Sequence, residues 1–177
     1  MGKRQLTAIE IAEARLVFRD SLDYDKVRLH EGVAWSNWVA RIGAWLSRTP
    51  PPPQNAVTLG NRIYLPVEIR TTLSPTDDAF IRDMGWLIHE LTHSWQYQHD
   101  GAIYFFQALW VQLKLGPDSY DYGGQQGLEL AAQAGKNLSD FNREQQGEIA
   151  RDYYHGRKKG QDVTAWEPFV LEFSSQG

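Results

Sequence analysis

Leu87-Ile88-His89-Glu90-Leu91-Thr92-His93-Ser94-Trp95 constrains this chain more than any other stretch, because it sets two imidazoles four residues apart with a carboxylate beside the first. On a helix, residues i and i+4 share one face about 6 Å apart, so both histidines can grip a single ion. Glu90, offset by one residue, then leans over the coordination position left open. The spacing predicts a metal-dependent hydrolase, provided the stretch is helical and a third ligand exists.

The flanking residues predict the helix. Ser74 can cap it, Pro75 suits the first helical position, and Asp77 completes a capping-box pattern three residues after Ser74. Phe80, Met84, Leu87, Leu91 and Trp95 then recur at helical spacing as one apolar face. At about 100° per residue, His89 and His93 point away from that face, so the core can anchor the helix while the histidines face a cleft.

Catalytic zinc takes three protein ligands and leaves one position open. The chain has no cysteine, so the ligands must be histidine and carboxylate. Three residues compete for the third place. His99 has the outer spacing of the metzincin signature, but Gln96 stands where that signature has the glycine that turns the backbone, and both methionines, Met1 and Met84, lie upstream of the motif. Glu144 and Glu148 lie on a later predicted helix, where Glu144, Glu148, Arg151 and His155 share a face and a carboxylate can reach across to the imidazoles.

The remaining segments predict a mostly helical α+β fold with a small sheet. Thr7 to Arg19 reads as an amphipathic helix with a Thr7/Glu10 capping box, and Lys26 to His30 as a short strand ending in a surface histidine. Val33 to Arg48 carries Trp35, Trp38 and Trp45 at helical spacing, suiting a buried helix first and a lid or docking face second; Pro50 to Pro53 follow as a stiff spacer. Ala56 to Leu59 and Arg62 to Leu65, joined by Gly60-Asn61, predict a hairpin in front of the metal helix. Its open edge could take an extended peptide as a further strand. Ile103 to Leu115 is expected to be a buried helix, too short to span a bilayer. Leu128 to Ala134 and Phe141 to His155 are expected to be helices, and Trp166 to Phe173 a strand or packed extended arm.

At 177 residues and 42% apolar composition, one domain is expected, divided into an N-terminal helical extension and Pro-rich spacer (1–54), a catalytic core (55–155) and a C-terminal arm (156–177). A formal charge of -4 argues against a nucleic-acid or anionic-membrane surface. The N-terminus has no apolar run resembling a signal peptide, and no stretch reads as a membrane span, so synthesis in the cytosol is expected.

Around Glu144 the chain resembles the gluzincins, whose third ligand is a glutamate on a second helix, commonly followed by a small residue at +3 and an acid at +4. Glu144 has Gly147 and Glu148 at those positions; Glu148 has the bulky Arg151 and Asp152. The resemblance therefore favours Glu144 over Glu148 and implies that Glu148 orients one histidine. The hairpin, the His-Glu-x-x-His core and Tyr120-Asp121-Tyr122-Gly123-Gly124 also resemble bacterial zincin-like domains associated with polymorphic toxins and contractile-injection particles. That implies a compact zincin-like fold, Zn²⁺ held by His89, His93 and Glu144, and a metallopeptidase, endopeptidase ahead of exopeptidase, with Glu90 as general base. The resemblance itself names no substrate; a peptide or protein substrate follows from the metallopeptidase reading, and the resemblance is compatible with a protein partner or delivery particle that exports the chain. Tyr122 and His155 are the favoured candidates to steady the oxyanion. The alternative is a zincin-shaped adaptor without turnover that docks through the tryptophan stripe.

Overall fold

The computed structural model describes residues 2–33, 56–101 and 120–175. The tryptophan stripe, the proline spacer and the expected helix over 103–115 lie outside the described residues, and of the expected Val33–Arg48 helix only Val33 falls within them. Within them the chain is α+β and mostly helical, with five α-helices and one small mixed sheet.

The strands are β1 (Gly2–Arg4), β2 (Arg28–Glu31), β3 (Val57–Leu59) and β4 (Arg62–Tyr64), in the order β1-β2-β4-β3. β1 runs antiparallel to β2, β2 parallel to β4, and β3 and β4 form the expected hairpin about Gly60, whose φ of 63° suits a residue without a side chain. Leu29 and Ile63 are register partners and fully buried, which fixes the sheet face that meets the helices. Nothing in Gly2-Lys3-Arg4 alternates as a strand should, and β1 was not anticipated. It forms because the Arg4 guanidinium reaches Glu31 (2.8 Å) on β2 and Glu10 (2.7 Å) on the first helix, tying the strand in place.

The helices are α1 (Ala8–Phe18), α2 (Asp78–Asp100), α3 (Gly124–Gln133), α4 (Arg143–Lys158) and α5 (Glu167–Ser175). The Thr7/Glu10 capping box at α1 is present. α2 begins later than the sequence suggests: its N-cap is Asp77, not Ser74. The Ser74 hydroxyl is engaged with Thr76 (2.9 Å), and the Asp77 backbone closes a turn onto the Ser74 carbonyl (2.9 Å), so those residues form a tight turn ahead of the helix. The C-terminal segment is a helix rather than a strand or extended arm. Phe169, Val170 and Phe173 are spaced for one helical face, and all three are buried. Phe173 packs edge-on against Phe18 (5.4 Å) and Trp95 (4.9 Å), closing the core behind α2.

α2 and α4 lie side by side and antiparallel: Gly85 meets His155, His89 meets Gly147, and Gln96 reaches the Arg143 carbonyl. The buried face of α2 (Phe80, Met84, Leu87, Leu91) packs into the core, as the periodicity predicts. The hairpin sits against the same helix through Ser94, whose hydroxyl donates to the Gly60 carbonyl (3.0 Å). A helix backed by the core, flanked by α4 and faced by the hairpin is what positions the site.

Candidate metal centre

His89 and His93 project from adjacent turns of α2 with ring centroids 5.0 Å apart. Glu144 reaches them from the first turn of α4, where Asn142 caps the helix and the positive end of the helix dipole favours a carboxylate. Its Oε2 lies 3.3 Å from His89 Nε2 and 3.6 Å from His93 Nε2. One donor atom from each of the three residues falls within 4.8 Å of the others, so the group can hold a metal ion. Tetrahedral zinc with bonds of about 2.0–2.1 Å separates its ligand atoms by roughly 3.4 Å, which both carboxylate–imidazole distances approach.

The fit depends on Gly147. A Cβ there would stand 2.8 Å from His89 Cε1 and Nδ1, inside contact distance, so the α4 backbone can come this close only without a side chain. Glu148 lies outside the donor cluster. Its Oε1 is 3.0 Å from His89 Nδ1, the ring nitrogen turned away from Glu144, while its other oxygen is paired with Arg151. A carboxylate at that place can orient a metal-binding imidazole, although the approach is an ion-pair contact in which His89 Nδ1 makes no hydrogen bond to any described residue. His93 is held differently: its Nδ1 lies 3.0 Å from Gln96 Oε1, within hydrogen-bond distance.

Burial alone would depress the two imidazoles, but nearby carboxylates outweigh it. Glu144 and Glu148 raise His89 above the ordinary imidazole value, and Glu144 raises His93. Burial likewise pushes Glu144 upward, and the two histidines pull it well below the carboxylate range. Without a metal, these groups favour a shared charge arrangement in which protons stand in for the cation.

Glu90 is buried beside the histidines, and its Oε2 accepts a 2.6 Å hydrogen bond from the Thr58 hydroxyl on β3. The hairpin therefore reaches the carboxylate proposed as a base, a contact the sequence reading missed. The signal was available: in a hairpin with Gly60-Asn61 at its turn, Thr58 pairs with Ile63 and shares its inward face. Gln96 was missed as a partner too, although three residues along a helix is contact spacing. Tyr120, treated only as part of a loop, has its ring 6.3 Å from that of His89 and 27° from parallel to it.

Tyr122 and His155, the residues expected to steady the oxyanion, are engaged with partners outside the donor cluster. Tyr122 donates its hydroxyl to Asp152 (2.7 Å) and accepts from Trp166 Nε1 (3.0 Å), so its oxygen is engaged with those two partners. Burial, then Asp152, keeps that phenol protonated well above its usual range. His155 follows Glu144 by eleven residues on α4, about 16 Å along the axis, and packs against Gly85, where a Cβ would lie 2.0 Å from its Nε2. Burial, then Arg151, lowers its pKa. His99 also stays on its own helix, stacked on Trp95 at 4.4 Å with Nδ1 donating to the Trp95 carbonyl (2.8 Å).

Fold and site together define a mostly helical α+β protein with a two-histidine, one-glutamate cluster able to hold a metal. The chain is similar to a segment of the type VI secretion system spike protein VgrG2b of Pseudomonas aeruginosa, at 34% identity over 169 residues. That alignment covers 94% of this chain and 14% of the spike protein, so the chain spans about a seventh of its curated relative. No family model and no solved structure matches. Among the described residues, no helix is long and apolar enough to cross a membrane.

Proposed function

We propose that this chain is a zinc-dependent metallopeptidase that hydrolyses peptide bonds in a peptide or protein substrate, with Glu90 as general base. The observation that carries this reading is the convergence of His89, His93 and Glu144 within 4.8 Å beside a glutamate that a separate element holds in place. A metal kept only for folding has no use for such a neighbouring base. Zinc, when bound, would supply Lewis-acid polarisation of the scissile carbonyl.

The chain's own residues account for the rest of the chemistry. Glu90 takes a proton from the attacking water and returns it to the leaving amine, a cycle that needs the carboxylate oxygens fixed near the reacting atoms. Thr58 fixes one of them. β3 stands at the edge of the described sheet, next to α2, where an extended peptide can pair by its backbone.

The similarity to part of a secretion-system spike protein supports a further component: the chain works as cargo or as a module of a contractile delivery particle. The same similarity favours one second reading, a zinc-stabilised module that docks on such a particle without turnover. Metal analysis and hydrolysis of a peptide library by the wild type and Glu90→Gln separate the two. The peptidase reading expects zinc in both proteins and cleavage by the wild type alone. Zinc without cleavage in the wild type supports the docking module, and a wild type that binds no zinc removes the metal reading altogether.

A further inference from the structure

We infer that Gln96 and Gln146 form a hydrogen-bond relay of fixed polarity that holds His93 with a proton on Nδ1, leaving Nε2 as the ligand atom. Only the identity of what Nε2 then holds rests on the zinc reading above.

The relay is anchored at the turn before α4. Gln146 Nε2 lies 3.1 Å from the Leu138 carbonyl oxygen and 2.9 Å from that of Phe141. Carbonyl oxygens only accept, so the Gln146 amide cannot be turned over without setting oxygen against oxygen at both contacts. Its own oxygen must therefore face the other way, where Gln96 Nε2 stands at 2.8 Å. The same Gln96 nitrogen also donates to the Arg143 carbonyl (3.2 Å), which fixes this second amide independently. Gln96 Oε1 is then left facing His93 Nδ1 at 3.0 Å, and an oxygen that can only accept requires the proton on that nitrogen.

Both glutamines are buried, at 6% and 7% exposure, so water cannot readily replace a mispaired amide. Polarity thus runs from two backbone carbonyls through two neutral side chains to one face of an imidazole. His89 has a carboxylate beside its Nδ1 instead. A neutral relay orients His93 without adding a further negative charge to a site that already contains Glu90, Glu144 and Glu148. Gln96 and Gln146 are accordingly positioning residues.

The test pairs ¹⁵N–¹H spectra of the histidine rings with zinc affinity by chelator competition. In the metal-free wild type at alkaline pH, where the ring is neutral, His93 is expected to carry its proton on Nδ1, shielded from solvent exchange. The zinc-loaded protein should show the same proton. Gln96→Leu should expose that position and weaken zinc binding about 10- to 100-fold. Gln146→Leu, which removes a residue whose relay contacts are to Gln96 and backbone carbonyls, should weaken it about tenfold. A proton on Nε2 in the metal-free wild type overturns the polarity, and needs no variant to fold. Wild-type affinity in both variants overturns the positioning role. A wild type that shows the Nδ1 proton but binds no zinc upholds the relay and removes the metal reading instead.

Discussion

Glu10 and Glu144 are both carboxylates withdrawn from water, yet their partners differ in kind. Glu10, fully buried, takes two hydrogen bonds from the Arg4 guanidinium (2.7 and 2.8 Å), one from the Thr71 hydroxyl (2.6 Å) and one from the Thr7 backbone (2.7 Å). All four are permanent donors, so this cluster is complete as it stands. Glu144 faces two imidazole nitrogens that donate only when protonated. Once Nδ1 of His93 carries the ring's proton for Gln96, a neutral ring directs a lone pair at the carboxylate. The Glu144 cluster therefore requires a cation, whether protons or a metal, and the Glu10 cluster requires none. That contrast separates a carboxylate that ties elements together from one suited to a ligand.

The largest effect expected on this contrast comes from Glu144→Ala. It should weaken zinc binding by about 4 kcal/mol, roughly a thousandfold, since structural zinc contributes about 10–16 kcal/mol over its full ligand set. Chelator competition measures this, and unchanged affinity would return the third-ligand role to Glu148.

Glu10→Gln should act on the fold and not on the metal. Removing one partner of a buried ion pair costs about 3–5 kcal/mol, and the partial exposure of Arg4 places this pair toward the lower end, near 3 kcal/mol. Denaturant unfolding should register the loss while zinc affinity stays at the wild-type value.

Acid should weaken both clusters, because Glu10 and Glu144 are both held below the ordinary carboxylate value, whereas base should weaken only the metal cluster through its histidines. Burial pushes Glu10 up, but the hydrogen bonds from Arg4, Thr71 and Thr7 together hold it below its ordinary 4.5. A lowered folded value means that its contribution is complete above 4.5 and is lost as the pH falls through that lowered value. His89 has the reverse sign. Burial would lower it, but Glu144 and Glu148 raise it above 6.5, so its contribution is present below 6.5 and is lost as the pH climbs through the raised value. Thermal melts of the metal-free protein should therefore decline at both extremes. Saturating zinc should remove the alkaline decline and leave the acid one; an alkaline decline that persists with zinc would break the comparison.

The smallest effect is expected on the hairpin side of the site. Thr58→Val should lower turnover about tenfold, because a hydrogen bond to a charged group contributes roughly 1.5–3 kcal/mol and water can replace part of it. Zinc affinity should not change, and Thr58→Ser should restore turnover. Equal loss of metal and turnover would show that the hairpin supports the ligands rather than the base.

Much of the cluster was legible in the chain because its logic is local. His89 and His93 lie one helical turn apart, and Gly147 and Glu148 stand at fixed offsets from Glu144 on a second helix. Helical periodicity therefore placed each set on a face before any contact between the helices was known. Where local signals conflicted, they misled. The residues from Ser74 to Asp77 satisfy a capping pattern, but their side chains close a turn among themselves, and Phe169 to Phe173 suited an extended arm until Phe18 and Trp95 offered a surface for a helical face. Tyr122 and His155 show the limit of proximity in sequence. Tyr122 is within two residues of Tyr120, whose ring approaches His89, yet its hydroxyl belongs to Asp152.

By itself, then, the sequence determined the helix carrying the histidines, the hairpin, the ligand types available to a chain without cysteine, and a second helix with Glu144 and Glu148 on one face. These follow from backbone periodicity, turn chemistry and side-chain inventory, which act over a few residues. Only the tertiary structure decided that Thr58 meets Glu90 and that Glu148 faces the outer nitrogen of His89 while Glu144 faces the inner one. It also decided that two glutamines fifty positions apart share a hydrogen bond. Those outcomes depend on how closely two helices approach and in what register, and that is set by the glycines at their contact and by the core packed behind them.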